Sequence, residues 1–174
     1  MTSRLIKRYT RHSDKGFALL DDQWIDWVLQ HQGEPGATNE NGWGFGRVTH
    51  YSWYVGDERI EVSIDQWVHA HVLPDASGFI GFEKGWQPNN CVLLDVYGKE
   101  RMRLTVPWQL TRPKNPESAK PPTSFTNVSD PYVNPENGKE GQFGVTAWVE
   151  YAGMYYFELD YRTGQFLWGR EIRD

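Results

Sequence analysis

Alternation of apolar and polar residues is the main pattern along this chain, and its longest example runs from Glu58 to Leu73. The residues from Ile60 to Ile64 alternate in the way expected of a strand with one buried face. Sixteen residues in a single strand would span roughly 50 Å, far more than the usual strand of about 5–6 residues. We therefore expect a bend or bulge at Asp65 and Gln66, where two polar residues adjoin.

One extra residue at this place decides which way two histidines point. Without it, Trp67, His69 and His71 face water on the polar side of the strand. With it, they join Leu73 on the side that faces the interior. The sequence leaves both orientations open, and a candidate site depends on the second.

Other segments share this pattern and predict a mainly antiparallel β protein. They are the ranges 47–55, 79–82, 91–97, 100–110, 143–151, 155–161 and 165–172. Short turns containing glycine between several of them favour hairpin-linked neighbours. Pro107 predicts an edge or bulged position in its strand, because proline cannot donate to a ladder.

One amphipathic helix is predicted from Leu20 to His31. Its apolar stripe consists of Leu20, Trp24, Trp27 and Val28, widened by Ile25 and Leu29. Asp21 and Asp22 suit the N-terminal turn, where the helix dipole favours negative charge. Gly33 and Pro35 end the helix. We expect the stripe to pack on a sheet or to close one end of a barrel.

These elements predict an antiparallel, lipocalin-like β-barrel of about eight strands with one N-terminal α-helix. A curved open sheet or a β-sandwich is the alternative, and the lipocalin analogy concerns architecture alone. We expect residues 1–174 to form a single domain. Two segments fall outside the pattern. Residues 1–15 are predicted to form a basic tail, and residues 111–140, with six of the ten prolines, a Pro-rich loop or lid.

The composition adds an aromatic load and an acidic charge. Nine Trp, nine Tyr and eight Phe favour strands and often line ligand pockets or interaction surfaces. The net charge of −5 argues against nucleic-acid binding. No apolar run reaches transmembrane length, so we expect no membrane insertion. A single cysteine, Cys91, and the lack of a signal-like apolar segment favour a cytoplasmic location.

His69-x-His71, followed by Asp75, resembles the first metal motif of the cupins, a superfamily of β-barrels. The resemblance covers only Ser63 to Gly81. Serine stands where the family's leading glycine belongs, aspartate replaces the usual glutamate, and no histidine follows His71 to form the second motif. His50 would have to supply a third nitrogen from a neighbouring strand. We therefore predict no metal and no cofactor.

The leading functional hypothesis is a barrel that binds a small apolar or aromatic molecule in an aromatic-lined cavity. Acid–base chemistry by Asp65, His69 and His71 would make it a cofactor-free lyase, isomerase or cyclase. Imidazole titrates near neutrality, and a close carboxylate would orient it. Arg103 is the candidate for holding an anionic or carbonyl oxygen. The candidate aromatic walls are Trp53, Trp67, Trp148 and Tyr156.

The alternative hypothesis is a protein-binding inhibitor or immunity-type protein that acts through an acidic, aromatic surface. Acidic patches steer association with basic partners such as nucleases. The candidate acids are Glu140, Glu150, Glu158 and Asp160. A cavity of roughly 300 Å³ or more among the tryptophans would favour the small-molecule hypothesis. A solid core with an exposed acidic or aromatic face would favour the protein partner.

Overall fold

The computed structural model describes residues 4–63, 67–111 and 122–172. Strands dominate these ranges, together with one short α-helix, α1 (Trp24–His31). The strands are β1 (Ile6–Ser13), β2 (Ala18–Leu20), β3 (Val48–Val55), β4 (Glu58–Ser63), β5 (Trp67–Val72), β6 (Phe79–Glu83), β7 (Cys91–Leu94), β8 (Glu100–Leu104), β9 (Ser124–Ser129), β10 (Gly144–Val149), β11 (Gly153–Asp160) and β12 (Gln165–Glu171). Single 3-10 turns lie at Asp21–Gln23 and Trp108–Leu110.

The strands form three antiparallel sheets of four strands each. The N-terminal sheet has the order β2-β1-β3-β4, the middle sheet β5-β6-β7-β8 and the C-terminal sheet β12-β11-β10-β9. The predicted class, mainly antiparallel β with one short helix, is confirmed. Within the described ranges none of the sheets closes on itself, so closure into a lipocalin-like barrel is not observed.

The two central strands of the middle sheet, β6 and β7, are buried on both faces. Phe79 and Val92 pack in a first core with residues of the N-terminal sheet. Ile80 and Leu93, their neighbours in sequence, pack in a second core with residues of the C-terminal sheet. Burial on both faces explains the continuous apolar sequences of β6 and β7. The molecule is therefore built in three layers with a core on each side of the middle sheet.

The long alternating stretch from Glu58 to Leu73 is divided between two sheets. Its first half is β4, at one edge of the N-terminal sheet, and its second half is β5, at one edge of the middle sheet. The predicted bend at Asp65 and Gln66 lies outside the described residues. The strands on either side of it belong to different layers, so the stretch is not one continuous strand.

Three strands, β1, β2 and β9, lie wholly or mostly in segments that the sequence pattern leaves without a predicted strand or helix. β1 occupies most of the predicted basic tail, and it pairs with both β2 and β3. Ile6 and Tyr9 of this strand are buried, but a bulge with a left-handed Arg8 (φ 56°) separates them. This bulge breaks the period of two that sequence analysis depends on. β9 likewise lies within the predicted Pro-rich loop of residues 111–140.

α1 is shorter than predicted, and only one of its faces packs on the rest of the protein. Trp24 and Trp27 lie edge-on to Phe45, with ring centroids 5.3 and 5.6 Å away. The prediction that Ile25 and Leu29 widen the packed stripe is wrong, because their side chains are 68% and 63% exposed. In residues 4–63, 67–111 and 122–172 no helix has the length and apolar content that crossing a membrane requires.

Candidate functional site

His69 and His71 lie on β5, at one edge of the middle sheet. Across the sheet they pair with Phe82 and Ile80, which belong to the second core. Directly paired residues of neighbouring strands point to the same face, so both imidazoles lie on the second-core side. The His69 ring is 4.8 Å from the Phe82 ring, and both histidines are half-buried. This orientation corresponds to the interior alternative, at an open edge rather than in a lumen.

The two histidines form a hydrogen-bonded chain that reaches β9. His69 Nε2 lies 3.1 Å from the carbonyl oxygen of Thr126, which can only accept, so this nitrogen carries the hydrogen. His69 Nδ1 is then an acceptor for His71 Nε2, also 3.1 Å away. His71 Nε2 is 3.1 Å from Asn127 Oδ1 as well. The arrangement is compatible with two neutral imidazoles and joins the middle sheet to the C-terminal sheet.

Burial holds both imidazoles in the neutral form. Burial, together with the smaller effect of the neighbouring His71, lowers the pKa of His69 to about 4. Burial also lowers the pKa of His71, against the opposing influence of the nearby Asp21 carboxylate. An effective acid–base catalyst has a pKa near the working pH. His69 is therefore poorly matched to proton transfer at neutral pH.

Two of the other predicted site residues are only partly described or not described at all. Asp65 lies outside the described residues, and so does the side chain of Trp67, whose backbone begins β5. Trp53 is buried in the first core, where its indole N–H donates to the carbonyl of Val96 at 2.7 Å. Trp53 is therefore on the opposite face of the middle sheet from His69 and His71.

Arg103 lies on β8, at the far edge of the middle sheet from the histidines. Two intervening strands separate the edges by about 14 Å at the usual strand spacing. Its guanidinium forms ion pairs with Glu83 and with Glu100, the second at 2.7 Å. It also donates to the carbonyl of Asn89 at 2.9 Å. The Arg103 guanidinium, which was predicted to hold a substrate oxygen, is therefore already engaged by these groups of the protein.

Trp148 and Tyr156 lie on the outer face of the C-terminal sheet. Val145, Ala147 and Val149 of β10 point into the second core, so Trp148 between them points outward and is 40% exposed. Tyr156 has the same orientation on β11 but is fully buried. The structure therefore does not bring these two aromatic residues to the histidines.

A buried carboxylate, Glu158, lies beside Tyr156 on this outer face. The Tyr156 hydroxyl donates to Glu158 Oε1 at 2.5 Å, and burial together with this hydrogen bond raises the tyrosine pKa. Glu158 Oε2 accepts from the backbone N–H of Gln142 at 2.7 Å and of Phe143 at 3.3 Å. Glu158 was predicted among the surface acids for a partner, and this is wrong because it is 5% exposed.

The cavities of the described regions do not match an internal binding site. The void among Tyr9, Tyr51, Trp53 and Phe79 in the first core has a volume of about 20 Å³. Larger clefts are open to solvent. One of about 260 Å³ lies beside Trp86, and one of about 360 Å³ lies beside Glu158, in a lining made mostly of polar groups. The sequence carries no signal for either cleft, since strand and loop residues far apart in the chain form them.

The part of the chain that the structure describes also contains no preformed metal site. No three or more His, Cys, Asp or Glu side chains are grouped there in a way that could hold an ion. His50 is not part of the His69–His71 pair. Its ring stacks on that of His12 at 4.3 Å instead.

Comparison with known proteins gives a likeness of fold. No protein-family model matches this chain, and no curated protein sequence matches it. A chain in the structure of Tne2 in complex with Tni2 has a similar architecture, with a TM-score of 0.63. The alignment covers 97% of this chain and 100% of that chain at 14% identity. At this identity the likeness concerns the fold alone.

Proposed function

We propose that this protein acts by binding another protein, as an inhibitor or immunity-type protein, and that it does so in the cytoplasm. The observation that carries the proposal is the small size of the void in the aromatic part of the first core, within the residues that the structure describes. The void among Tyr9, Tyr51 and Trp53 has a volume of about 20 Å³, whereas ligand pockets typically begin near 300 Å³. The fold supports it, since it resembles a chain from a two-protein complex over nearly its whole length.

The surface supports the same proposal. Several large apolar side chains are exposed, and aromatic residues are enriched at protein interfaces. They are Ile25, Leu29, Trp86, Trp148, Tyr151 and Leu167. The net charge of −5 favours association with a basic partner. Cys91, the single cysteine, is a buried free thiol, which is compatible with a reducing compartment.

Native mass spectrometry of the tagged chain, recovered from its source at low salt, tests the proposal. We expect a stoichiometric complex with a second protein that dissociates when the salt concentration is raised. Addition of the purified chain should then inhibit that protein's activity at a one-to-one ratio. Recovery of the chain alone, or with only a small molecule bound, would contradict a protein-binding function.

A second candidate is a small-molecule site at the His69–His71 pair, where a cofactor-free lyase, isomerase or cyclase reaction would take place. The hydrogen-bonded, half-buried imidazoles at one edge of the middle sheet favour it. The proposed catalytic set remains Asp65, His69 and His71. This site would lie at the edge of a sheet. It would lie in a lumen only if the sheets closed into the lipocalin-like barrel predicted from the sequence.

The substrate contacts proposed for this second site are less well supported. Trp67 remains a candidate. Trp53, Arg103, Trp148 and Tyr156 would have to act elsewhere, because they lie on other faces or edges of the sheets. The test is the double variant His69→Ala with His71→Ala. If the wild-type chain retains a small molecule in native mass spectrometry and the double variant retains it equally, the histidines are not its site.

A further inference from the structure

The segment around α1 combines acidic charge with exposed apolar residues. Between residues 16 and 46 the sequence has five acidic residues and no lysine or arginine. Asp22, Ile25, Asp26 and Leu29 are all exposed. Ile25, Asp26 and Leu29 lie along one side of the helix, and Asp22, in the 3-10 turn that leads into it, extends this stripe by its spacing of three and four residues. We name these four residues the α1 stripe.

The opposite face of α1 fixes the helix to the protein. Besides their contacts with Phe45, Trp27 lies 5.1 Å from the ring of Phe17, and Trp24 lies under the guanidinium of Arg11 at 4.5 Å. Arg11 also pairs with Asp21 at 2.6 Å, in the turn that leads into the helix. An eight-residue helix is unstable alone, so this packing is what holds it in place. A surface ordered before binding loses little entropy when a partner docks.

We propose that the α1 stripe docks a basic partner protein, and this inference rests on the proposed protein-binding function. Ile25 and Leu29 would fill an apolar depression at the centre of the contact, as buried anchors do in protein interfaces. Asp22 and Asp26 would face lysine or arginine side chains at its rim. Rim charges of this kind accelerate association and select the partner.

The charge of the stripe argues for a different protein rather than a second copy of this chain. A twofold dimer would place the same patch of both copies together. Asp22 and Asp26 would then approach the identical carboxylates of the other copy, which is unfavourable. A basic partner removes this repulsion.

Two double variants test the docking surface, with the protein recovered in the native mass spectrometry experiment as the probe. Ile25→Ala with Leu29→Ala removes the anchors and keeps residues that favour a helix. We expect it to weaken the dissociation constant at least about tenfold. Asp22→Asn with Asp26→Asn removes two charges. We expect it to slow association about fivefold at about 50 mM salt, and to have little effect at about 300 mM salt.

The controls make the same chemical changes elsewhere. Glu136→Gln with Glu171→Gln also removes two exposed charges, and Leu5→Ala removes an exposed leucine side chain. Each control should bind within about twofold of wild type. Unaltered circular dichroism and melting temperature would show that every variant folds.

The results separate this inference from the proposed function. If wild type binds its partner and the Ile25→Ala, Leu29→Ala variant binds equally well, protein binding stands and the α1 stripe is not the docking surface. If wild type captures no protein, both proposals fail. If sedimentation shows a wild-type dimer that the same variant abolishes, the occupant is a second copy and the basic-partner inference is wrong.

Discussion

At the scale of single residues, the packing of the outer face of the C-terminal sheet depends on the close contact between Tyr156 and Gly144. Gly144 has no side chain, and a Cβ atom added there would lie 2.2 Å from the Tyr156 ring. Tyr156 is fully buried and packs against the rings of Tyr132 and Trp168. The ring therefore has little room to move away from a larger residue at position 144.

We expect Gly144→Ala to destabilise the fold by about 2–3 kcal/mol, because the new methyl group overlaps a buried aromatic ring. Chemical denaturation of both proteins measures the change. Gly33→Ala is the matched control, since no heavy atom lies within 4 Å of a Cβ atom at that position. Equal midpoints for Gly144→Ala and wild type would show that Tyr156 can move.

Glu158 provides a second prediction at this scale. We expect Glu158→Gln to cost about 1–3 kcal/mol, because one side-chain oxygen becomes a donor that faces the hydroxyl of Tyr156 or the N–H groups of Gln142 and Phe143. Tyr156→Phe should cost less. A double-mutant cycle by urea denaturation measures the coupling. Additive effects of the two changes would contradict a direct interaction.

At the scale of elements, Asn90 acts as a substitute for a neighbouring strand at the open edge of β9. Its side-chain oxygen accepts from the backbone N–H of Phe125 at 2.8 Å, and its side-chain nitrogen donates to the Phe125 carbonyl at 2.9 Å. Unpaired groups at a sheet edge invite pairing with other chains. Asn90 is buried, so it satisfies these groups away from water.

We expect Asn90→Ala to lower the free energy of unfolding by about 2–4 kcal/mol, because it leaves a buried N–H and a buried carbonyl without partners. Hydrogen exchange at the Phe125 amide should also become faster. The adjacent Asn89 is exposed, so Asn89→Ala serves as a control that should leave both quantities unchanged. Unaltered exchange in Asn90→Ala would show that another group replaces the amide.

Elements were predictable where the apolar pattern is regular, and less so where a bulge interrupts it. β6 and β7 are continuous apolar runs, so their sequences identify them. The alternating pattern does not reveal β1, because Arg8 adds a residue between the buried Ile6 and Tyr9. It does not reveal β9 for the same reason, since the register of β9 with β10 shifts near Thr126.

The candidate site was likewise predictable only where neighbouring residues in the sequence determine it. The sequence predicted that His69 and His71 share a face, because that follows from their spacing of two. It could not predict that Thr126 and Asn127 complete their hydrogen bonds, since those residues come from another sheet. The role of Asn90 and the burial of Glu158 depend likewise on backbone groups that distant elements present.

At the scale of the whole molecule, half-buried histidines lie between two of the layers and within the third. His69 and His71 lie between the middle and C-terminal sheets, and His12 lies in the N-terminal sheet, stacked on His50 and 2.7 Å from Ser52 Oγ. The fold lowers the pKa of His12, His69 and His71, in each case mainly through burial. All three therefore favour the neutral form in the native state.

Stability should consequently fall as the pH decreases from about 6.5 towards 4. As the pH falls through this window, the unfolded histidines bind more protons than the native ones, so the unfolded state is favoured. His69, with a native pKa of about 4, should contribute roughly 1–3 kcal/mol of this loss after allowance for solvent screening. Denaturation of wild type and His69→Gln at pH values across the window measures it. The variant should show a shallower decline, because its side chain cannot titrate, and parallel curves would show that His69 is not held neutral between the layers.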